Sequence, residues 1–175
     1  MQERISGVIE GMSPLLMARF PMEPIEGLQK MTSEQQAEIS AYRQPKTNEL
    51  YVPGVALWSC LINGATFIKG KGRASLQKVA AACLLLEPEY LLLGTKEYTI
   101  DSRRVVNPTT RGAIISHRPR LENWKLSFNL DYDTTLLSRA EVRQIVDAAG
   151  QRVGLLSFRP ACKGPFGRFQ VVEWK

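Results

Sequence analysis

The sequence predicts an α+β fold, an antiparallel sheet with helices on one of its faces. Three observations carry that prediction. From Trp124 to Tyr132 the residues alternate without a break, the apolar set Trp124, Leu126, Phe128, Leu130 and Tyr132 facing one way and Lys125, Ser127, Asn129 and Asp131 the other. That is the period of a half-buried antiparallel strand. Two other stretches carry apolar stripes at helical spacing, Leu57, Trp58, Leu61, Ile62 and Ala65 in one and Val142, Ile145, Val146 and Ala149 in the other. Turn signals set these runs apart in the order strand, helix, strand, strand, helix, strand.

In chain order, residues 3–10 read as the first strand, ended by Ser13-Pro14, with Leu15-Leu16-Met17 as an apolar plug. Residues 20–46 hold Pro21, Pro24 and Pro45 and four glutamates, and Ser33 with Gln36 suggests a capping box opening a short helix over 33–42. Leu50 to Gly54 is extended and leads into the first striped helix. Gly70-Lys71-Gly72 breaks it, and a second helix is expected over 74–86, ended by Pro88. Tyr98–Val106 and Ala113–Ser116 flank the turn cluster Asn107–Gly112, which predicts a hairpin over 100–118. Ser138 and Glu141 form a capping box for the last helix, and Gly150 stops it. Val153–Phe158 reads as a short strand, Gly164–Gly167 as a glycine turn, and Arg168–Trp174 as the final strand. The whole is a split βαβ, ferredoxin-like arrangement in one domain over 1–175, with insertions at about 11–48 and 68–120, the latter including the basic hairpin. The open face of such a sheet, and its loops, would be available for binding.

With 175 residues and 44% hydrophobic content the chain can bury a full core. No run approaches the roughly 18 apolar residues of a membrane span. Met1-Gln2-Glu3-Arg4 opens on charges and lacks the layout of a signal peptide, so a cytoplasmic location is expected, with Cys60, Cys83 and Cys162 as thiols. The single histidine argues against a histidine metal site, and no other ligand cluster or cofactor motif is present. Gly70-Lys71-Gly72-Arg73 lacks the spacing of a phosphate-binding P-loop. Asp131 and Asp133 read as strand-end and turn residues rather than metal ligands.

The charge is lopsided. Residues 1–100 carry ten basic and ten acidic side chains, while 101–175 carry thirteen and seven and so hold the whole net +6. Within the first part Lys69, Lys71, Arg73 and Lys78 follow one another with no acid between them. Clustered positive charge points to a polyanion partner. Three basic elements are candidates for holding phosphates: the loop of Lys69, Lys71 and Arg73, the hairpin with Arg103, Arg104, Arg111, His117, Arg118 and Arg120, and the turn Lys163, Gly164, Phe166, Gly167 and Arg168. The glycines would let backbone N–H groups approach an anion. Phe166 or Phe158 could stack on a base.

Three segments together resemble the RAMP superfamily, which includes the backbone subunits of CRISPR effector complexes. They are Leu50-Tyr51-Val52-Pro53-Gly54-Val55-Ala56-Leu57 before a helix, the arginine-bearing hairpin, and Gly164-Pro165-Phe166-Gly167-Arg168-Phe169. The family's serines are absent at Val55-Ala56. The chain is also similar to small phage and prophage proteins in Pro14–Met17, in Arg118-Pro119-Arg120 and in Arg159-Pro160. The resemblance implies a protein that holds the backbone of single-stranded RNA or DNA and that self-associates along the strand or joins a complex, and the single histidine with no ligand cluster leads to the expectation that it is non-catalytic and needs no cofactor. The resemblance implies two alternatives. One is a phage-encoded interaction protein that mimics or inhibits a CRISPR subunit. The other is a metal-independent endoribonuclease, for which His117 is the sole imidazole and would need a partner within hydrogen-bond reach.

Overall fold

The strand that alternates most strictly is the centre of the molecule. The computed structural model describes residues 1–175. Its elements are β1 (Gln2–Gly11), β2 (Leu15–Leu16), α1 (Ser33–Ile39), β3 (Tyr51–Pro53), α2 (Gly54–Gly64), α3 (Gln77–Cys83), β4 (Leu85–Glu87), β5 (Tyr90–Leu92), β6 (Thr99–Val106), β7 (Ala113–Leu121), β8 (Lys125–Asp133), α4 (Arg139–Ala148) and β9 (Phe169–Trp174). The main sheet runs β4-β8-β1-β9 and is antiparallel throughout. Taking those four strands in chain order, the sheet reads fourth, first, third, second from β9, the split βαβ order of a ferredoxin-like fold. A second sheet runs β2-β7-β6, and β3 pairs with β5.

The apolar sides meet in one core. Ile5 and Ile9 of β1 join Leu126, Phe128, Leu130 and Tyr132 of β8, and across them lie Leu57, Cys60 and Leu61 of α2 and Val142, Ile145 and Val146 of α4. The capping box at Ser138 and Glu141 starts α4 as expected. No helix is long and apolar enough to cross a membrane.

The open face of the sheet is closed to anions by its own side chains. Arg4 reaches Asp131 (2.6 Å) and Glu87 (3.0 Å), Ser6 donates to Asn129, and Lys125 lies 3.5 Å from Glu10. Cations and carboxylates alternate there in a cross-strand ladder, so the basic surface lies elsewhere.

Three expectations need correction. The helix expected over 74–86 ends at Cys83, and Leu85–Glu87 is the second strand of the main sheet, paired with Asp131, Leu130 and Asn129. The continuous apolar run Val79–Leu86 suits a helix or a buried strand equally, and the residue before Pro88 is pushed away from helical angles. The short helix near 33 is capped one residue earlier than expected, by Thr32 and Gln35. Val153–Phe158 is not a strand: a widened helical turn over Ala149–Val153 extends α4, and Gly154, Leu156 and Phe158 then take left-handed angles. A chain with positive φ at every second residue cannot pair as a strand.

Candidate nucleic-acid interface

The hairpin β6–β7 forms as predicted, with Thr99–Val106 paired in register against Arg120–Ala113. Its alternation puts Asp101 and Arg103 on one face with Arg118 and Arg120. That face is docked. Arg103 binds Asp101 with both ends of its fork (2.6 and 2.7 Å) and lies 4.8 Å from the ring centre of Phe166 and 5.5 Å from that of Phe158. Arg120 reaches Asp101 (3.1 Å) and Glu122 (2.6 Å) and covers Phe166 at 5.4 Å. Arg118 donates to the Ser157 hydroxyl. Asp101 is only 7% exposed, and Arg103, then Arg120, hold its carboxyl below the usual range. Burial works against the charge of Arg118. Charge-assisted hydrogen bonds contribute about 1.5–3 kcal/mol each and cation–π contacts about 0.5–2 kcal/mol. Arg103, Arg118 and Arg120 are therefore the joint between the hairpin and the late loop, and their charge is largely spent there.

The late loop corrects the reading of the glycine turn. The N–H of Gly164 donates to the Arg159 carbonyl (3.0 Å), that of Gly167 to Pro14 (2.9 Å) and that of Phe166 to Phe158 (3.1 Å), so no anion nest remains. A Cβ at Gly164 would stand 1.9 Å from the Phe158 oxygen, and one at Gly167, where φ is +75°, 2.1 Å from the Leu155 oxygen. These glycines let the loop fold onto itself. Phe166 is 7% exposed under two arginines and cannot stack on a base. Leu156 (φ 60°) and Phe158 (φ 52°) sit in left-handed backbone, at roughly 1–2 kcal/mol each for side chains of this kind.

The other candidate cations are exposed and make no ion pair: Lys69, Lys71 and Arg73 on the loop after α2, Arg104 and Arg111 on the hairpin, and Lys163 and Arg168 on the late loop. The first loop is pinched by a hydrogen bond from Gly70 to the Ala74 carbonyl (3.0 Å), which projects its lysines outward. Arg111 occupies the hairpin turn with φ 55°.

His117 lies on the other hairpin face from Asp101. Its Nδ1 is 2.7 Å from the Ser102 hydroxyl. It lines an apolar groove of about 950 Å³ between the hairpin and residues 19–40, where Phe20 and Met22 are more than four-fifths exposed.

A second cavity escaped sequence reasoning. A cleft of about 410 Å³ opens between α2 and the late loop, lined by Tyr42, Ser59, Asn63, Ser157 and Arg159 among others, with no carboxylate. Arg159 donates to the Leu156 carbonyl (2.8 Å) and forms no ion pair. Ser59 and Asn63 stand at i, i+4 on α2, opposite its apolar stripe, and that spacing was the available signal.

No protein-family model and no curated protein matches the sequence. Solved structures do match it. A chain of the type III-B Cmr-beta complex bound to cognate target RNA superposes over 99% of this chain with a TM-score of 0.53 and 9% identity. The two chains share a fold. This chain spans 60% of the length of that neighbour. Cmr6 from Pyrococcus furiosus aligns over 97% of this chain and 98% of its own, with a TM-score of 0.44 and 10% identity.

Proposed function

We propose that this chain is a non-catalytic RNA-binding subunit of a CRISPR-type multi-subunit complex, holding the phosphate backbone of single-stranded RNA. The observation that carries the reading is that seven candidate cations are exposed and unpaired on the hairpin and on two loops (Lys69, Lys71, Arg73, Arg104, Arg111, Lys163, Arg168), while the sheet face is balanced by its own acids. Side chains of this kind bind phosphates by releasing counterions and read no sequence. The structural neighbour bound to target RNA favours RNA over DNA as the strand. The test is binding of labelled single-stranded RNA, single-stranded DNA and duplex RNA across a salt series. Affinity for single-stranded RNA is expected to fall steeply between ~50 and ~200 mM salt, with a log–log slope near −5 if all seven cations meet phosphates. No binding at ~50 mM overturns the reading.

The absence of catalysis is part of the proposal. Asp101 lies on the opposite hairpin face from His117 and is held by two arginines, and the side-chain hydrogen bond of the imidazole goes to Ser102. Labelled RNA should stay intact with the wild type and with His117→Ala. Metal-independent cutting that is lost in the variant would establish an endoribonuclease instead.

A second reading, an interaction protein that assembles with its own kind, is favoured by the groove beside Phe20 and Met22. Its rim carries Glu23, and Glu26 and Glu34 stand close by on the same segment. These acids complement the loop of Phe67, Lys69, Lys71 and Arg73 on a second copy, and a head-to-tail contact of this kind propagates into a filament. Light scattering of the wild type and of Met22→Glu decides it. Concentration-dependent growth that Met22→Glu abolishes supports the contact, and a monomer at all concentrations refutes it.

A further inference from the structure

We infer that the cleft between α2 and the late loop takes one unstacked nucleobase of the bound strand. This rests on the RNA-binding reading and makes it more specific, because a base pocket explains a preference for single strands that cations on loops alone do not.

Four observations converge on it. The cleft, at about 410 Å³, falls within the range of roughly 300–1,000 Å³ in which small ligands are enclosed. Its walls offer flat and apolar surface from Tyr42, Leu156 and Phe158, and between them stand the short polar groups of Ser59, Asn63 and Ser157. Unpaired bases are held in this way, by a flat or apolar face and by hydrogen bonds to their edges. No carboxylate lines the cleft, whereas Arg159 does. The guanidinium spends one N–H on the Leu156 carbonyl and keeps others for a phosphate or a base edge. Lys163, exposed and unpaired, follows Cys162 at the rim and can hold the flanking phosphate.

Backbone strain marks the same place. Leu156 and Phe158, both left-handed, bracket Ser157, whose hydroxyl is fixed by Arg118. Strained residues held by their surroundings are concentrated where a ligand requires the geometry. Here the strain turns the 156–159 segment toward α2 and forms the wall of the cleft.

Two labelled RNAs test the inference by fluorescence anisotropy: a short oligouridine, and a strand of the same length and charge with its interior bases removed. The wild type should prefer the intact strand by ~10-fold, with equal salt slopes for the two. Ser59→Trp plugs the cleft from an exposed helix position. It should bring the intact strand down to the affinity of the abasic one while leaving abasic binding unchanged, and that retained binding shows that the variant is folded. Equal wild-type affinity for the two strands overturns the base pocket and leaves the backbone reading standing. Failure of the wild type to bind either strand at ~50 mM salt overturns both.

Discussion

The hairpin uses one residue type in two opposite ways. At its base Arg103, Arg118 and Arg120 are turned inward, bound to Asp101, Glu122 and Ser157 and laid over Phe158 and Phe166. Toward its tip Arg104 and Arg111 are exposed and bind nothing within the chain. The base has five charged groups, three positive and two negative, and two of its arginines lie over the rings of Phe158 and Phe166. The tip has positive charge alone. Arginine count therefore says little about anion binding until the acids facing each arginine are known. The base should govern stability and the tip affinity, and variants on either side can break that division.

The largest effect is expected at Phe166. The ring is 7% exposed and supports both Arg103 and Arg120, so Phe166→Ala removes apolar packing and two cation–π contacts together. Large-to-small changes at buried aromatics cost about 3–5 kcal/mol. Urea denaturation should show a loss near the lower end, since the site borders solvent. A loss below ~1 kcal/mol would mean that the hairpin is not docked through this ring.

Asp101→Asn comes next, at about 2 kcal/mol, because it leaves two arginine forks without their shared carboxylate in a partly buried site. The pH dependence gives a finer measure. The folded carboxyl is held below its ordinary value by Arg103 and then Arg120. Its stabilisation is thus complete above the unfolded pKa of about 3.9 and is lost as the pH falls from there through the lower folded value. The gap in urea midpoint between the wild type and Asp101→Asn should be full at neutral pH and close below about pH 4. A constant gap would assign the effect to shape rather than charge.

The same contrast explains what could be read in advance. The ferredoxin-like body was legible because its elements obey a single period each: the alternation of 124–132, the stripes of α2 and α4, and a capping box at Ser138 that forms as written. The second strand, Leu85–Glu87, was not, because three residues carry no period and they extend an apolar run that a helix also accepts. At the candidate site the hairpin was legible, and so was the basic character of the two other loops. The joint was not. It depends on which face Asp101 shares with Arg103, Arg118 and Arg120, and on two phenylalanines some fifty residues away in sequence. Glycines 164 and 167 carried a true signal that was assigned to the wrong neighbour, since a backbone carbonyl rather than a phosphate comes close to each. The cleft was hidden because its far wall is built by left-handed residues whose identities, leucine and phenylalanine, announce an ordinary strand.

The smallest effect on the fold, and the sharpest on the comparison, is expected at Arg111. The residue lies in the hairpin turn, exposed, with no partner, and an exposed substitution away from packed features changes stability by less than about 0.5 kcal/mol. Its φ of 55° is better tolerated by asparagine than by most residues, so Arg111→Asn removes the charge while keeping the turn. If the tip meets phosphates, the salt dependence of RNA binding should become shallower by roughly 0.7 in log–log slope, the share of one contact on a single strand. Arg103→Lys provides the opposite case at the base. It keeps the charge but loses the fork, so it should lower the urea midpoint and leave the slope unchanged. If Arg103→Lys flattens the slope and Arg111→Asn does not, the phosphate path runs along the docked base of the hairpin, and the inward arginines bind RNA after all.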